Sequence, residues 1–465
     1  MAVLLNRTYE VGSISAAVLA GTLLTSAFLL SQEAELRLAV PLLIGATAAM
    51  TTSLAGALYF GERGRLALSP VTILIVALLL RLMFLFAPPQ LSDDIYRYLW
   101  DGSNLIGGTN PYQAPPSALA PLPGQKAIHS RINHPQYVTI YPPMAQIIFA
   151  GGAASGGTVT GLKGFLVLID MGLCAMIILL LKKFEMPVWR AVLYAWNPLP
   201  VVEIAGSGHV DSAGMAFVLV ALYLLLCDKK TQITSSPYRW PALFSGVLMA
   251  CAGLVKLVPF LFVPLLWYLV PKGRRRYFIS GCSGMMMLLV VPFLPDLLNM
   301  ISSLDTYATH WEFAGFAFNL LRTVTGSGTL ARQLLAASFI ILCCIATYRL
   351  AQQLKQAGTP DSKGFQTLKI CYIIAMAFLL FTPTLQPWYA LTLAVFLPFC
   401  AGPAGLVLCW AVFLTYQVQI PYFILGQWHE DPYVTAAVFM APASASFLSI
   451  IFSNIFPRDT SGHPQ

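Results

Sequence analysis

Ser92-Asp93-Asp94-Ile95-Tyr96-Arg97-Tyr98-Leu99-Trp100-Asp101-Gly102 follows directly on an apolar segment, and that junction decides the fold class. Two adjacent carboxylates at the mouth of an apolar run are costly unless something uses them. They point to chemistry at a membrane surface and not to a soluble core. The rest of the chain agrees: of 465 residues, 57% are hydrophobic and only 10% charged, where a soluble domain carries roughly 25% charged. Mean hydropathy is +0.73. The apolar runs are continuous over about 15–22 residues, the length of membrane helices, and lack the ~10-residue alternation of a barrel. The expected fold is an all-α polytopic membrane protein with about 12–14 transmembrane helices and no large soluble domain.

Charge gives the expected topology. Basic residues gather at Arg63/Arg65, Lys182/Lys183/Arg190, Lys229/Lys230/Arg239, Lys272/Arg274/Arg275/Arg276 and Arg349/Lys355/Lys363/Lys369, with Arg7 and Arg458 near the two ends. These hold 18 of the 27 Lys and Arg, and the positive-inside rule makes them cytoplasmic. The complementary loops 31–37, 88–140, 203–211, 296–328 and 426–433 then face outward with 12 of the 19 acidic residues. This segregation explains the net charge of +8 better than nucleic-acid binding does, and no nucleic-acid partner is expected. The first apolar run, about 11–30, lacks a basic leader and a small-residue cleavage site, so no cleavable signal is expected. The nine cysteines are scattered without CxxC spacing, which favours packing over metal or disulfide roles.

Residues 1–66 read as an N-terminal transmembrane hairpin. Residues 67–456 read as the catalytic membrane domain, and 457–465 as a short cytoplasmic tail. Parity requires one partial helix, placed at about 141–154, where the run is short and ends in Gly151-Gly152 and Gly156-Gly157. Residues 241–270 form an out-and-back path with Lys256 at its tip, each limb about 14 residues or ~21 Å long. Residues 369–402 repeat the pattern around Gln386-Pro387-Trp388. Such tips line a cavity open to the outer face. No inverted repeat of the transporter kind is apparent.

In a helix over 93–104, Asp94, Arg97 and Asp101 share one face and Asp93 lies about 100° away. Tyr96, Leu99 and Trp100 cover the other side, an amphipathic pattern suited to lying flat on a membrane surface. Helix capping accounts for one carboxylate of the pair and leaves the other for chemistry. A second site runs from Asn197-Pro198 through Glu203 to Gly206-Ser207-Gly208-His209-Val210-Asp211, where glycines let the backbone approach a ligand. A glycine turn with Asp211 as the cap of helix 212–227 is the plain alternative. Lys256, alone among apolar residues, needs either a protein carboxylate or a lipid phosphate. Asp170 sits inside an apolar helix and reads as an internal hydrogen-bond partner. His310-Trp311-Glu312-Phe313 and Gln386-Pro387-Trp388-Tyr389 pair aromatics with polar groups, suited to sugar faces or to membrane interfaces. No Walker loop, HExxH, GxSxG or credible Rossmann fingerprint is present.

Asp93-Asp94-Ile95-Tyr96 after an early helix, Gly108-Thr109-Asn110-Pro111-Tyr112, and Tyr141-Pro142-Pro143 together resemble the first outer loop of GT-C glycosyltransferases. The likeness is strongest to bacterial polyprenol-phosphate-mannose-dependent mannosyltransferases and to the catalytic mannosyltransferase of GPI-anchor assembly. Ala195-Trp196-Asn197-Pro198, Gly206 to Asp211, Leu254-Val255-Lys256-Leu257-Val258-Pro259 and Gln386-Pro387-Trp388-Tyr389 extend it in order across most of the chain. The resemblance implies a GT-C-like bundle in a bacterial cell membrane, with the active site facing outside and no cofactor or metal. It also implies a polyprenyl-phosphate sugar donor, a lipid or glycan acceptor, and a loop carboxylate as base. The matching positions are Asp93 and Asp94, with Asp93 expected as base and Asp94 and Arg97 orienting it. Tyr96, Asp101, His209, Asp211, Lys256, Gln386, Trp388 and Tyr389 are the expected donor- or substrate-binding residues. Lys256 or His209 would stabilise the departing phosphate. Two features depart from the family pattern: the extra hairpin at about 11–60, and the contiguity of the acidic pair, which the GPI enzymes separate by one residue. A lipid-linked glycan polymerase or ligase would use Arg and His in a large late loop. A flippase would spread ionisable residues through both leaflets. Here the acidic motif is early and the polar residues gather at the outer apices, which favours a one-sided enzyme.

Overall fold

The computed structural model describes residues 2–227 and 239–455, with side chains from 15 to 451 within them. Lys229, Lys230, Arg458, the 457–465 tail and the side chain of Arg7 lie outside the described residues. All regular structure there is helical, apart from isolated bridges joining Phe313 and Ala314 to Thr384. The order is α1 (Ala2–Ser31), α2 (Val40–Glu62), α3 (Pro70–Leu85), α4 (Asp94–Ile106), α5 (Pro143–Ala154), α6 (Val159–Lys183), α7 (Asp211–Cys227), α8 (Trp240–Val255), α9 (Lys272–Phe293), α10 (Leu297–His310), α11 (Phe316–Thr325), α12 (Gly328–Gln356), α13 (Pro360–Phe381), α14 (Pro403–Leu425) and α15 (Pro432–Ile455). Among the described residues, seven helices are long and apolar enough to cross a membrane. An eighth arises if Pro198–Gly206 and α7, which meet at a 119° bend, count as one broken span. Five shorter apolar helices accompany them. The chain is an all-α polytopic membrane protein.

One hydrophobic core runs from Leu19 in α1 to Val438 in α15, so the N-terminal hairpin shares its core with the rest. Trp410 Nε1 donates to Ile44 O at 3.2 Å, tying α14 to α2. Small residues set the closest helix crossings, as expected where bilayer and core are equally apolar. A Cβ on Gly246 of α8 would meet Phe278 O at 2.1 Å, and one on Gly281 of α9 would meet Leu243 O at 2.1 Å. The two backbones are therefore in reciprocal contact.

Two ends of the bundle are distinguished by their contacts. At one end Arg190 pairs with Glu62 at 2.9 Å and Lys183 with Asp361 at 2.9 Å, which joins three of the basic clusters. At the other end the 31–37, 88–140, 296–313 and 382–392 segments converge with Lys256 around one large cavity.

Inside the bundle the ionisable groups are paired. Arg81 Nε lies 2.5 Å from Asp170 Oδ2 and its Nη1 donates to Ala195 O at 2.8 Å, while Tyr194 OH donates to Asp170 Oδ1 at 2.5 Å. This set fastens α3, α6 and the segment before Pro198. Lys163 of α6, fully buried, donates to Phe84 O at 2.6 Å and Ala87 O at 2.7 Å. It satisfies carbonyls left open where α3 ends, just ahead of the acidic motif.

Two expectations change, and a third, the partial helix near 141–154, is met. Helix α4 does not present one face outward: Ile95 through Gly102 are all buried. Helix α5 covers one side, where a Cβ on Gly102 would stand 2.3 Å from the Phe149 backbone. The 107–142 loop covers the other, through Trp100 against His129 and Arg97 Nη1 donating to Tyr137 O at 3.1 Å. The amphipathic spacing was read as a membrane-surface face, whereas a folded loop takes that place. The short run near 141–154 is a helix of 12 residues, about 18 Å long and too short to cross a hydrocarbon core of roughly 30 Å. The outgoing limb of the 369–402 hairpin begins earlier, at Pro360 behind the Thr359 cap, and is a full-length helix. Only its return limb is short and broken, over Pro387–Ala394.

Candidate functional site

The cavity has a volume of about 910 Å³ and is lined by segments spread along the chain from Arg37 to Trp428. Asp93 and Asp94 lie on it because α3 stops at Leu85, the Pro88-Pro89 segment turns, and α4 begins at Asp94. Asp94 is held from two sides: Oδ1 accepts from Asn133 Nδ2 at 2.9 Å and Oδ2 from Tyr141 OH at 3.2 Å. Tyr141 OH in turn lies 2.8 Å from Tyr98 OH. Asp93 opens into the cavity and has no hydrogen bond to its carboxylate among the described residues. Crowding by protein pushes the Asp93 carboxyl above the usual range; Asp94 acts in the same direction, and Arg37 and Arg131 act against it.

Arg97 lines the same wall. Its Nε donates to Asp101 Oδ1 at 2.9 Å, the i, i+4 pair anticipated from the spacing. Its Nη2 is buried without a hydrogen-bond partner. An unpartnered buried donor costs about 1–3 kcal/mol. Across the cavity Lys256 Nζ lies 2.5 Å from Asp211 Oδ1 and 4.8 Å from the centre of the Tyr389 ring. The lysine stands at the tip between α8 and the returning Val258–Leu269 limb, so the carboxylate partner it needs is Asp211. Asp211 Oδ2 has no partner among the described residues. Gln386, Trp388 and Tyr389 line the adjoining wall, and Tyr389 OH lies 2.6 Å from Tyr307 OH. Trp311 stacks obliquely near Tyr307, and His134 meets it edge-on at 5.1 Å, forming an aromatic rim.

The structure thus brings Asp93, Asp94, Arg97, Asp211, Lys256, Gln386, Trp388 and Tyr389 together around one space. Three expected contact residues stand behind its walls instead. Tyr96 is buried and its OH accepts from Arg131 Nη1 at 2.7 Å. Asp101 is 2% exposed and turned to Arg97, with burial raising its carboxyl and Arg97 opposing. His209 is fully buried, stacked on the inner face of Trp388 with ring centres 3.9 Å apart, and 3.5 Å from Glu203. It lies against Trp388 and is not among the residues that line the cavity. His209 therefore supports a lining residue and does not itself reach a phosphate. Glu203 accepts from Tyr416 OH at 2.9 Å and 3.1 Å.

Sequence reasoning missed Arg37, Asn133 and Tyr416. The available signal was weak: Arg37 lies in a short acidic loop assigned to the same side as Asp93. Nothing local marks Asn133 or Tyr416. Glu312, singled out with Trp311, is engaged by Arg322 at 2.5 Å and Arg332 at 2.7 Å. Asn110 of the Asn-Pro-Tyr turn donates to Asp296 Oδ2 at 2.9 Å and so docks the long loop onto the start of α10. No group of three or more His, Cys, Asp or Glu side chains gathers as a metal-binding set among the described residues.

Residues 3–272 match the family model described as the alpha-(1->6)-mannopyranosyltransferase N-terminal domain. A curated relative, alpha-(1->6)-mannopyranosyltransferase B of Corynebacterium glutamicum, is 26% identical over 234 residues. That alignment covers 47% of this chain and 38% of the relative, so the chain matches well under two thirds of the relative's length. No solved structure matches the chain.

Proposed function

This chain belongs to the alpha-(1->6)-mannopyranosyltransferase family, and from that premise we propose that it is an integral-membrane hexosyltransferase. It moves a sugar, mannose by family likeness, from a polyprenyl-phosphate donor to an acceptor hydroxyl of a lipid or glycan. It spans a bacterial cell membrane many times, with the cavity on the extracytoplasmic face, as the distribution of basic and acidic loops supports. The observation that carries the reading is the cavity itself: an acidic pair, the Lys256–Asp211 pair and aromatic side chains all line one space.

In this reading the Asp93 carboxylate takes the proton of the acceptor hydroxyl as its oxygen bonds to the anomeric carbon of the donor. The bond from that carbon to the phosphate oxygen breaks, and polyprenyl phosphate leaves as an anion. Attack from the opposite face converts a β-linked donor into an α-linked product. The leaving phosphate needs no strong acid, only positive charge and hydrogen-bond donors. Lys256, on the cavity wall, supplies positive charge and donors. Asp93 is favoured as base because its oxygens carry no hydrogen bond and its carboxyl is pushed up, toward the range useful for accepting a proton. Asp94, tied to Asn133 and Tyr141, acts as a fixed group that orients the acceptor.

The test uses membranes from cells expressing wild type, Asp93→Asn or Asp94→Asn at equal protein level. Each is incubated with radiolabelled polyprenyl-phosphate-mannose and a native lipid extract. Transfer by wild type that vanishes in Asp93→Asn supports the reading. Equal transfer in all three sinks the mechanism, and no transfer by wild type removes the donor from the proposal.

A further inference from the structure

The loop between α1 and α2 is remote from the acidic motif in sequence yet closes one side of the cavity. Gln90, in the strand of chain leading to Ser92, takes hold of it. Its Oε1 accepts from the Leu36 backbone N–H, and its Nε2 donates to Glu33 O at 3.0 Å. Glu35 then grips Arg37 with both oxygens, at 2.6 Å to Nε and 2.9 Å to Nη2. Two parallel bonds of this kind fix a guanidinium in direction as well as place. The same guanidinium lies over the Phe423 ring of α14, 4.4 Å from its centre. So held, Arg37 lines the cavity together with Asp93.

We propose that the α1–α2 loop is part of the catalytic site, and that Arg37, set by Glu35 on the cavity that Asp93 shares, is a positioning residue whose charge acts on the Asp93 carboxylate. The inference rests on the transferase reading of the cavity. The charged groups that face Asp93 are Arg37 from this loop, Asp94 from its own helix and Arg131 from the long loop; crowding and Asp94 favour the protonated acid, and the two arginines oppose them. Arg131 is exposed and bonded to Tyr96, whereas Arg37 is clamped by Glu35, Phe423 and the Gln90-bound loop. A charge fixed at the cavity wall is screened less than one moving in solvent. The hairpin, an addition to the family pattern in the sequence, thereby supplies a working charge.

The decisive comparison uses two substitutions that break the same ion pair. If the loop matters only for packing, Arg37→Gln and Glu35→Gln damage the enzyme alike. If the charge on Arg37 acts on Asp93, they move the acid limb of the transfer-versus-pH profile in opposite directions. Arg37→Gln shifts it to higher pH, because the carboxylate loses a favourable charge. Glu35→Gln shifts it to lower pH, because Arg37 loses its counter-charge, and Arg37→Lys stays close to wild type. The profiles are measured in membranes with radiolabelled polyprenyl-phosphate-mannose at equal protein level, with Asp93→Asn alongside. Inactive Asp93→Asn with both limbs unmoved, or moved together, overturns the role of Arg37 and leaves the transferase reading intact. Wild-type transfer by Asp93→Asn overturns both. If Arg37→Gln fails to accumulate, an unmoved or raised limb in Glu35→Gln is sufficient to reject the role.

Discussion

Gly102 lies where α4 presses on α5, and replacing it by alanine tests whether that crossing positions the acidic pair. A Cβ there would stand 2.3 Å from both the carbonyl carbon and oxygen of Phe149 and 2.8 Å from the Ala150 nitrogen, against 3.4–4 Å for ordinary contact. Backbone cannot swing aside as a side chain does, so the two helices must part by about 1 Å, an overpacking that costs roughly 1–3 kcal/mol. Asp94 begins the same helix, about 12 Å away along its axis. Its 3.2 Å bond from Tyr141, the residue that leads into α5, lengthens when the helices separate. A misplacement of about 1 Å at reacting groups lowers rate by on the order of 100-fold. The assay pairs the thermal midpoint of the detergent-purified protein with sugar transfer in membranes. Gly102→Ala is expected to lose in both, and in transfer by more than the loss of folded protein explains. Gly172→Ala is the control: nothing lies within 4 Å of its Cβ position, and alanine in a helix interior is worth up to about 1 kcal/mol over glycine. A Gly102→Ala protein with wild-type midpoint and rate would refute the argument that this crossing fixes the site.

Other expectations follow from the charged groups. Arg81→Met leaves Asp170 buried with Tyr194 alone and should cost about 3–5 kcal/mol, read as a large fall in thermal midpoint and yield; an unchanged midpoint argues against the pairing. Lys256→Ala strands the Asp211 carboxylate, which is 4% exposed, at a cost toward the lower end of about 3–5 kcal/mol. Adding Asp211→Asn should recover stability without recovering transfer, and recovered transfer would remove Lys256 from the chemistry. Transfer should fall with acid below a limb lying above the ordinary aspartate value of about 3.9, because a raised Asp93 binds its proton at higher pH and ceases to accept one. A profile flat down to that ordinary value counts against Asp93.

Much of this arrangement is written locally. The apolar runs carried the helical class, and the spacing put Arg97 and Asp101 on one face, where they form an ion pair. Lys256 announced its need for an anion by its isolation among apolar residues. What spacing does not carry is which distant group answers. Asp211 is 45 residues from Lys256, Tyr416 is 213 from Glu203, and Trp388 covers His209 from another helix pair. His209 shows the difficulty well. A histidine in a glycine turn reads as a ligand-facing group, yet the ring packs against Trp388 and lies outside the cavity lining. For α4, periodicity revealed two unlike faces correctly but said nothing of the loop that folds over the second.

The Arg81–Asp170 pair has a consequence for how the chain is made. Its partners are 89 residues apart, on α3 and α6. An ion alone costs up to roughly 2.5–3.5 kcal/mol at the centre of a span, where Asp170 lies in α6, and less near a helix end, where Arg81 lies in the 16-residue α3. Helix α3 therefore enters the bilayer carrying an unanswered charge and gains its partner only when α6 has been synthesised. Lys163 on α6 reaches back to the carbonyls at the end of α3 at the same moment. The two helices are thus joined by charge at two points, and the chain leading to Asp93 and Asp94 starts from that joint.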